Sequence, residues 1–122
     1  MFEVIPGFKM KHETSEWILL DELVYFSLLF GSLKIPKGFV TDLASVPRLF
    51  RSLFPAHGSH SPAAIVHDYL YQMKGKIPSK NLTRKQCDQV FLEAMKILNV
   101  PFWKRHLMYR AVRLGGWTHW NF

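Results

Sequence analysis

The hydrophobic pattern of this 122-residue chain changes period once, near residue 46, and that change limits what it can fold into. Before it, apolar, aromatic and β-branched residues fall in short runs at 17–20, 24–30 and 33–35. Gly31-Ser32 and Pro36-Lys37-Gly38 punctuate the runs as turns, the second feeding a short extended piece over 39–41. From Pro47 onward the pattern is helical. Residues 47–53 read as one or two turns, with Ser45 as cap and Pro55 as stop, and 56–60 read as a loop. Ser61-Pro62 supplies an N-cap and a first-turn proline for a helix over 62–73 that ends before Gly75. Pro78 and the polar residues after it make a connector. Thr83 and Gln86 have capping-box spacing and open a second helix that runs to Leu98. A third runs from Pro101 to Leu114 and stops at Gly115-Gly116. The expected class is α+β in a single domain over 1–122. A small N-terminal antiparallel sheet (1–46) is followed by three helices (47–122).

Composition narrows the class further. With 48% hydrophobic residues, 10 Phe, 4 Trp and 4 Tyr, the chain is not a disordered tail. Its single cysteine, Cys87, excludes an internal disulfide framework and suits a reducing compartment. No apolar run reaches the ~18 residues of a membrane-spanning helix. The opening MFEVIPGFKMKHE lacks the basic-then-hydrophobic pattern of a signal peptide.

Charge is unevenly divided. Residues 1–73 hold six Lys/Arg and seven Asp/Glu, whereas 74–113 hold ten Lys/Arg against Asp88 and Glu93, and the whole chain carries +7. Such asymmetry fits an anionic partner (nucleic acid, phospholipid head groups or an acidic protein) or a solvated helix face. Near the C-terminus Phe102, Trp103, Trp117, Trp120 and Phe122 lie among Lys104, Arg105, Arg110 and Arg113. Aromatic residues beside cations suit a membrane interface or single-stranded nucleic acid, and equally a tail packed on the core or on a neighbouring subunit; the packed tail is favoured.

One acid falls where acids are costly. Cys87, Phe91, Ala94, Met95 and Leu98 recur at helical spacing and form a buried stripe. Asp88 lies beside it, and a carboxylate there needs a partner. The preceding helix offers His67 and Tyr71 at i and i+4, and two antiparallel helices would set both opposite Asp88. An aspartate bound to one imidazole nitrogen fixes the tautomer and leaves the other nitrogen as a general base. Tyr71 would donate its hydroxyl to Asp88. Asp68, about 100° round the helix from His67, has the oxygen chemistry of a calcium ligand. The same residues also make a purely structural network between two helices. Asp42, after the last predicted strand, either joins Asp68 as a carboxylate ligand or caps the turn near Ser45.

Two resemblances add to this reading. PKGFVTDLASVP (36–47), HDYLY (67–71), the stretch 88–95 and YRAVRLGG (109–116) resemble, in order, an uncharacterised bacteriophage and prophage domain family. That implies a phage origin, synthesis in the host cytoplasm and possible association with the virion, but no activity. More narrowly, AAIVHDYLY (63–71) followed by CDQVF (87–91) is similar to the two active-site helices of phospholipases of the A-two class, closest to the disulfide-free parvoviral type. That likeness implies His67 as general base, Asp68 on calcium, Asp88 orienting the histidine and Tyr71 in support. The glycine-rich calcium loop of those enzymes has no match here, because 55–60 holds one glycine.

His57, His60 and His67 could together bind a transition metal, although their intervals match no zinc signature. Cys87 reads as a small core residue, and Ser45 lacks a nucleophile-elbow pattern. Two functions survive. One is a hydrolase acting on an ester in an anionic assembly such as a phospholipid membrane. The other is a non-catalytic virion or tail-associated module that contacts other phage proteins; nucleic acid is the less favoured partner.

Overall fold

The computed structural model describes residues 2, 8–10, 17–41, 61–77, 80–116 and 120, with 8–10 and Ser61 described by backbone alone. In chain order the elements are strands β1 (Phe8–Met10), β2 (Trp17–Leu19), β3 (Leu23–Ser27), β4 (Gly31–Ile35) and β5 (Val40–Thr41), then helix α1 (Ser61–Gln72). Strands β6 (Lys76–Ile77) and β7 (Lys80–Asn81) follow, and helices α2 (Arg84–Ile97) and α3 (Phe102–Gly115) complete the order. The expected α+β class holds: small antiparallel strand pairs come first, and among the described residues three helices follow, with the β6–β7 pair between the first two. The turn expected within 47–53, the loop over 56–60, and Asp42, His57, His60 and Trp117 lie outside the described residues.

Strand β2 is central in a three-stranded antiparallel sheet. Phe8 pairs with Leu19 on one side, and Thr41 pairs with Trp17 on the other. Strands β3 and β4 form a hairpin with Leu23 opposite Ile35 and Ser27 opposite Gly31. Period-two burial along this hairpin sends Leu23, Tyr25, Leu33 and Ile35 into the core.

The hairpin turn differs from expectation. It is made by 28–30, and Gly31-Ser32 belong to strand β4. The cause is local. Ser27 Oγ accepts from the amides of Leu29 and Phe30, both at 3.1 Å, so the turn closes without a turn-forming residue at its tip. Gly31, at φ +87°, then re-enters the strand. The connector is also more ordered than expected, because β6 before Pro78 and β7 after it pair as a two-stranded ribbon.

Helix α1 is buried almost all round: 62–68, 70 and 71 are buried, so His67, Asp68 and the Tyr71 hydroxyl must find partners inside. Its C-terminus turns through Lys74 at φ +52° and Gly75 at φ +75°, and the Gly75 amide reaches back to Leu70 O at 2.9 Å. Helix α2 opens with the expected capping box. Thr83 Oγ1 accepts from the Gln86 amide at 3.1 Å, and Gln86 Oε1 accepts from the Thr83 amide at 2.8 Å. Its stripe of Cys87, Val90, Phe91, Ala94 and Met95 is fully buried. Helix α3 buries Met108, Ala111 and Val112. The C-terminal end of α1 meets the start of α2, and the C-terminal end of α3 meets it as well. Both neighbours therefore run antiparallel to α2.

Candidate active site

Asp88 projects from the first turns of α2 into the space between all three helices and is wholly inaccessible. His67 and Tyr71, one turn apart on α1, both reach its Oδ1. His67 Nε2 lies 2.7 Å away, and the Tyr71 hydroxyl donates at 2.6 Å. The expected juxtaposition of these three residues is therefore present in the fold. The imidazole is held on its faces too. It stacks on Phe91 with centroids 4.5 Å apart and an angle of 29°, and it leans on the Tyr71 ring at 4.3 Å. Such packing removes the rotational freedom that would loosen the pair.

The second oxygen of Asp88 is claimed by arginines. Arg113 Nη1, from the last turn of α3, donates to Oδ2 at 2.7 Å, and Arg84 Nη1, one turn before Asp88, lies 3.7 Å away. Arg84 also donates to Val112 O at 3.0 Å and Arg113 O at 3.1 Å, neutralising carbonyls at the C-terminal end of α3. Burial by itself would raise the carboxyl pKa of Asp88. The hydrogen bond with His67, then the Tyr71 hydroxyl and Arg113, outweigh burial and hold it below the ordinary value, so Asp88 is an anion. The Tyr71 phenol moves the other way. Burial, then its bond to anionic Asp88, keep it protonated far past the normal range. Next to this hydroxyl, Gly116 leaves no room for a side chain: a Cβ there would lie 2.5 Å from the Tyr71 oxygen.

Asp68 points away from this cluster, as its position on the helix requires. Its Oδ2 accepts from the Thr41 hydroxyl on β5 and from Gln72 Nε2 at 3.1 Å. Gln72 lies one turn on along α1 and also touches Val40 O at 3.4 Å. These donors tie β5 to α1. Among the described residues no three His, Cys, Asp or Glu side chains gather around a common point. A calcium ion takes six to eight oxygens, so the described residues do not by themselves make a calcium site at Asp68.

The residues expected at a membrane or partner surface divide. Arg110 is exposed, and Lys104 stands 5.5 Å from the Trp103 ring centroid. Arg105 is anchored by a bond to Val100 O at 3.1 Å. Arg113 instead carries its charge to Asp88. Trp120 packs edge-on against Tyr71, with centroids 5.3 Å apart. The roles of Arg84, Arg113, Thr41 and Gln72 were missed from sequence. Arg84 to Asp88 and Asp68 to Gln72 are i, i+4 pairs, which is a readable signal. For Arg113, 25 residues from Asp88, there is none.

The comparisons place these residues within a family. The chain is similar to the uncharacterized protein y4jT of Sinorhizobium fredii, 33% identical over 88 residues, which is 69% of this chain and 24% of that protein. No solved structure matches it. No helix among the described residues is long and apolar enough to cross a membrane. Residues 17–112, which hold His67, Tyr71, Arg84 and Asp88 and end one residue before Arg113, match one family, and the chain belongs to it: "Protein of unknown function (DUF1353)".

Proposed function

We propose that this protein is a hydrolase of phage or prophage origin in which His67 acts as general base on an ester, with Asp88 orienting it. The observation that carries this reading is the contact of His67 Nε2 with the anionic Asp88 at 2.7 Å. An anion at Nε2 places the imidazole proton there and makes Nδ1 the basic nitrogen. In hydrolysis Nδ1 takes a proton from water as the oxygen attacks the ester carbonyl. The imidazolium that forms is stabilised by Asp88 and then returns its proton to the departing alcohol. Tyr71 and Arg113 keep Asp88 in place and charged throughout. The basic 74–113 segment supports a substrate presented in an anionic assembly, such as a phospholipid membrane. The phage origin rests on the motif resemblance of 36–47, 67–71 and 109–116.

One observation favours a second reading. His67 and Asp88 are both wholly inaccessible, and Asp88 accepts bonds from α1 and α3. A satisfied buried network of this kind also serves to fix one packing of three helices. In that case the protein is a non-catalytic virion or tail-associated module.

The test is release of fatty acid from anionic vesicles, with calcium and with chelator, by wild type, His67→Gln and Tyr71→Phe. A hydrolase loses at least about a hundredfold in rate in His67→Gln while its circular dichroism is unchanged. A folded wild type that cleaves neither phospholipid nor an activated aryl ester leaves the architectural reading. Calcium dependence would implicate Asp68 and Asp42, and equal rates with chelator would remove them from the chemistry.

A further inference from the structure

A concavity lies apart from the Asp88 cluster and shares no residue with it. It is a groove of about 960 Å³ between the β3–β4 turn, the outer side of α2 and the start of α3. Its apolar lining is Leu28, Leu29 and Phe30 from the turn, Leu92 and Ile97 from α2, and Phe102 from α3. The volume is at the upper end of the range for small-molecule sites.

The turn needs none of this hydrophobicity. Ser27 supplies its closing hydrogen bonds, and Leu28 and Leu29, 91% and 58% exposed, do nothing for the hairpin itself. Polar residues would serve a solvated tip better, so two adjacent leucines beside an open apolar wall point to an occupant.

Charge indicates its chemistry. Lys96 and Arg105 line the groove, and Arg105 is fixed there by its bond to Val100 O and by the Phe102 ring, 5.2 Å from its guanidinium carbon. The acid of the groove, Glu93, accepts from the Tyr25 hydroxyl at 2.5 Å, and Lys96 and Arg105 outnumber it. An occupant with an apolar body and an anionic end satisfies both features. A second copy would bring the same positive charge, +7 per chain, to the same rim.

We propose that the groove between the β3–β4 turn, α2 and α3 binds a single-chain fatty-acid anion, its alkyl chain along Leu28, Leu29, Leu92 and Phe102 and its carboxylate at Lys96 and Arg105. This site is independent of the hydrolase reading. It is tested by calorimetric titration of the full chain with laurate, below its micelle concentration, beside dodecyltrimethylammonium, which has the same chain and the opposite charge. Saturable one-to-one laurate binding is expected, with the cationic amphiphile about tenfold weaker. Lys96→Glu should weaken laurate about three- to fivefold. Leu29→Asp, at an exposed position with unchanged circular dichroism, should abolish binding. Equal affinity for both amphiphiles, or indifference to both substitutions, overturns the site. Binding to phosphatidylglycerol vesicles without binding of monomeric laurate overturns it in favour of a membrane surface. A dimer that Leu29→Asp dissociates, without laurate binding, overturns it in favour of a second copy.

Discussion

Arg113 on α3 donates to Asp88 on α2 at 2.7 Å, and through that one carboxylate α3 is held to α1. The two residues are 25 positions apart. Asp88 could not remain charged in its buried position without cations, and Arg113 and Arg84 would leave the end of α3 overcharged without Asp88.

Removing the anion should cost more than removing one cation. Asp88→Asn leaves the partly buried Arg84 and Arg113 facing a neutral amide, and a loss of about 3 kcal/mol in urea unfolding is expected. Arg113→Met should cost less, because the Arg113 side chain is 29% exposed and Asp88 retains His67 and Tyr71. A double-mutant cycle on the pair should give a coupling of about 0.5–3 kcal/mol. A coupling of zero would dissociate α3 from the site.

The pH dependence has a defined sign. The folded carboxyl of Asp88 lies below its ordinary value of 3.8, so the unfolded chain takes up this proton first as pH falls. Its stabilisation is complete above the unfolded pKa and drains away as pH drops through the folded one. The urea midpoint of the wild type should fall between about pH 5 and 2, and Asp88→Asn should flatten that slope.

At alkaline pH two phenols act in the opposite sense. Burial, then Glu93, raises Tyr25, and burial, then Asp88, raises Tyr71. Both remain neutral in the fold at a pH where the unfolded chain ionises them. Stability is therefore present below pH 10.0 and declines above it. Ultraviolet titration should show these two phenolates appearing only together with unfolding.

Gly116→Ala should damage the cluster from outside. The added methyl group would lie 2.5 Å from the Tyr71 oxygen and 2.4 Å from Val112 O, so Tyr71 must move off Asp88 or the end of α3 must shift. A loss of about 1–3 kcal/mol is expected. The Tyr71→Phe background should absorb part of it, since the clashing oxygen is then gone.

Cys87 provides a probe of global opening. Burial, then the neighbouring Asp88 charge, pushes its thiol up to about 12, and the side chain is inaccessible. A thiol reagent at neutral pH should label the native protein only at the rate of unfolding. Rapid labelling would show that α2 separates from its neighbours locally.

Much of this architecture is local and therefore legible in the sequence. The capping box at Thr83, the stripe from Cys87 to Met95, the end of α1 before Gly75 and the i, i+4 pair of His67 and Tyr71 depend on spacings of a few residues. The need of Asp88 for a partner was legible too, because burial of a carboxylate beside an apolar stripe sets a cost whatever the fold. The sequence did not contain the direction of the long side chains. Arg113 could have gone to solvent or to a membrane, and only the antiparallel return of α3 brings it to Asp88. The hairpin turn slid to Leu28-Leu29-Phe30 because Ser27 could satisfy its amides, which overrode the preference for Gly31-Ser32. Periodicity decides which residues are buried; which buried residues meet depends on contacts across dozens of positions, set by the packing of whole helices.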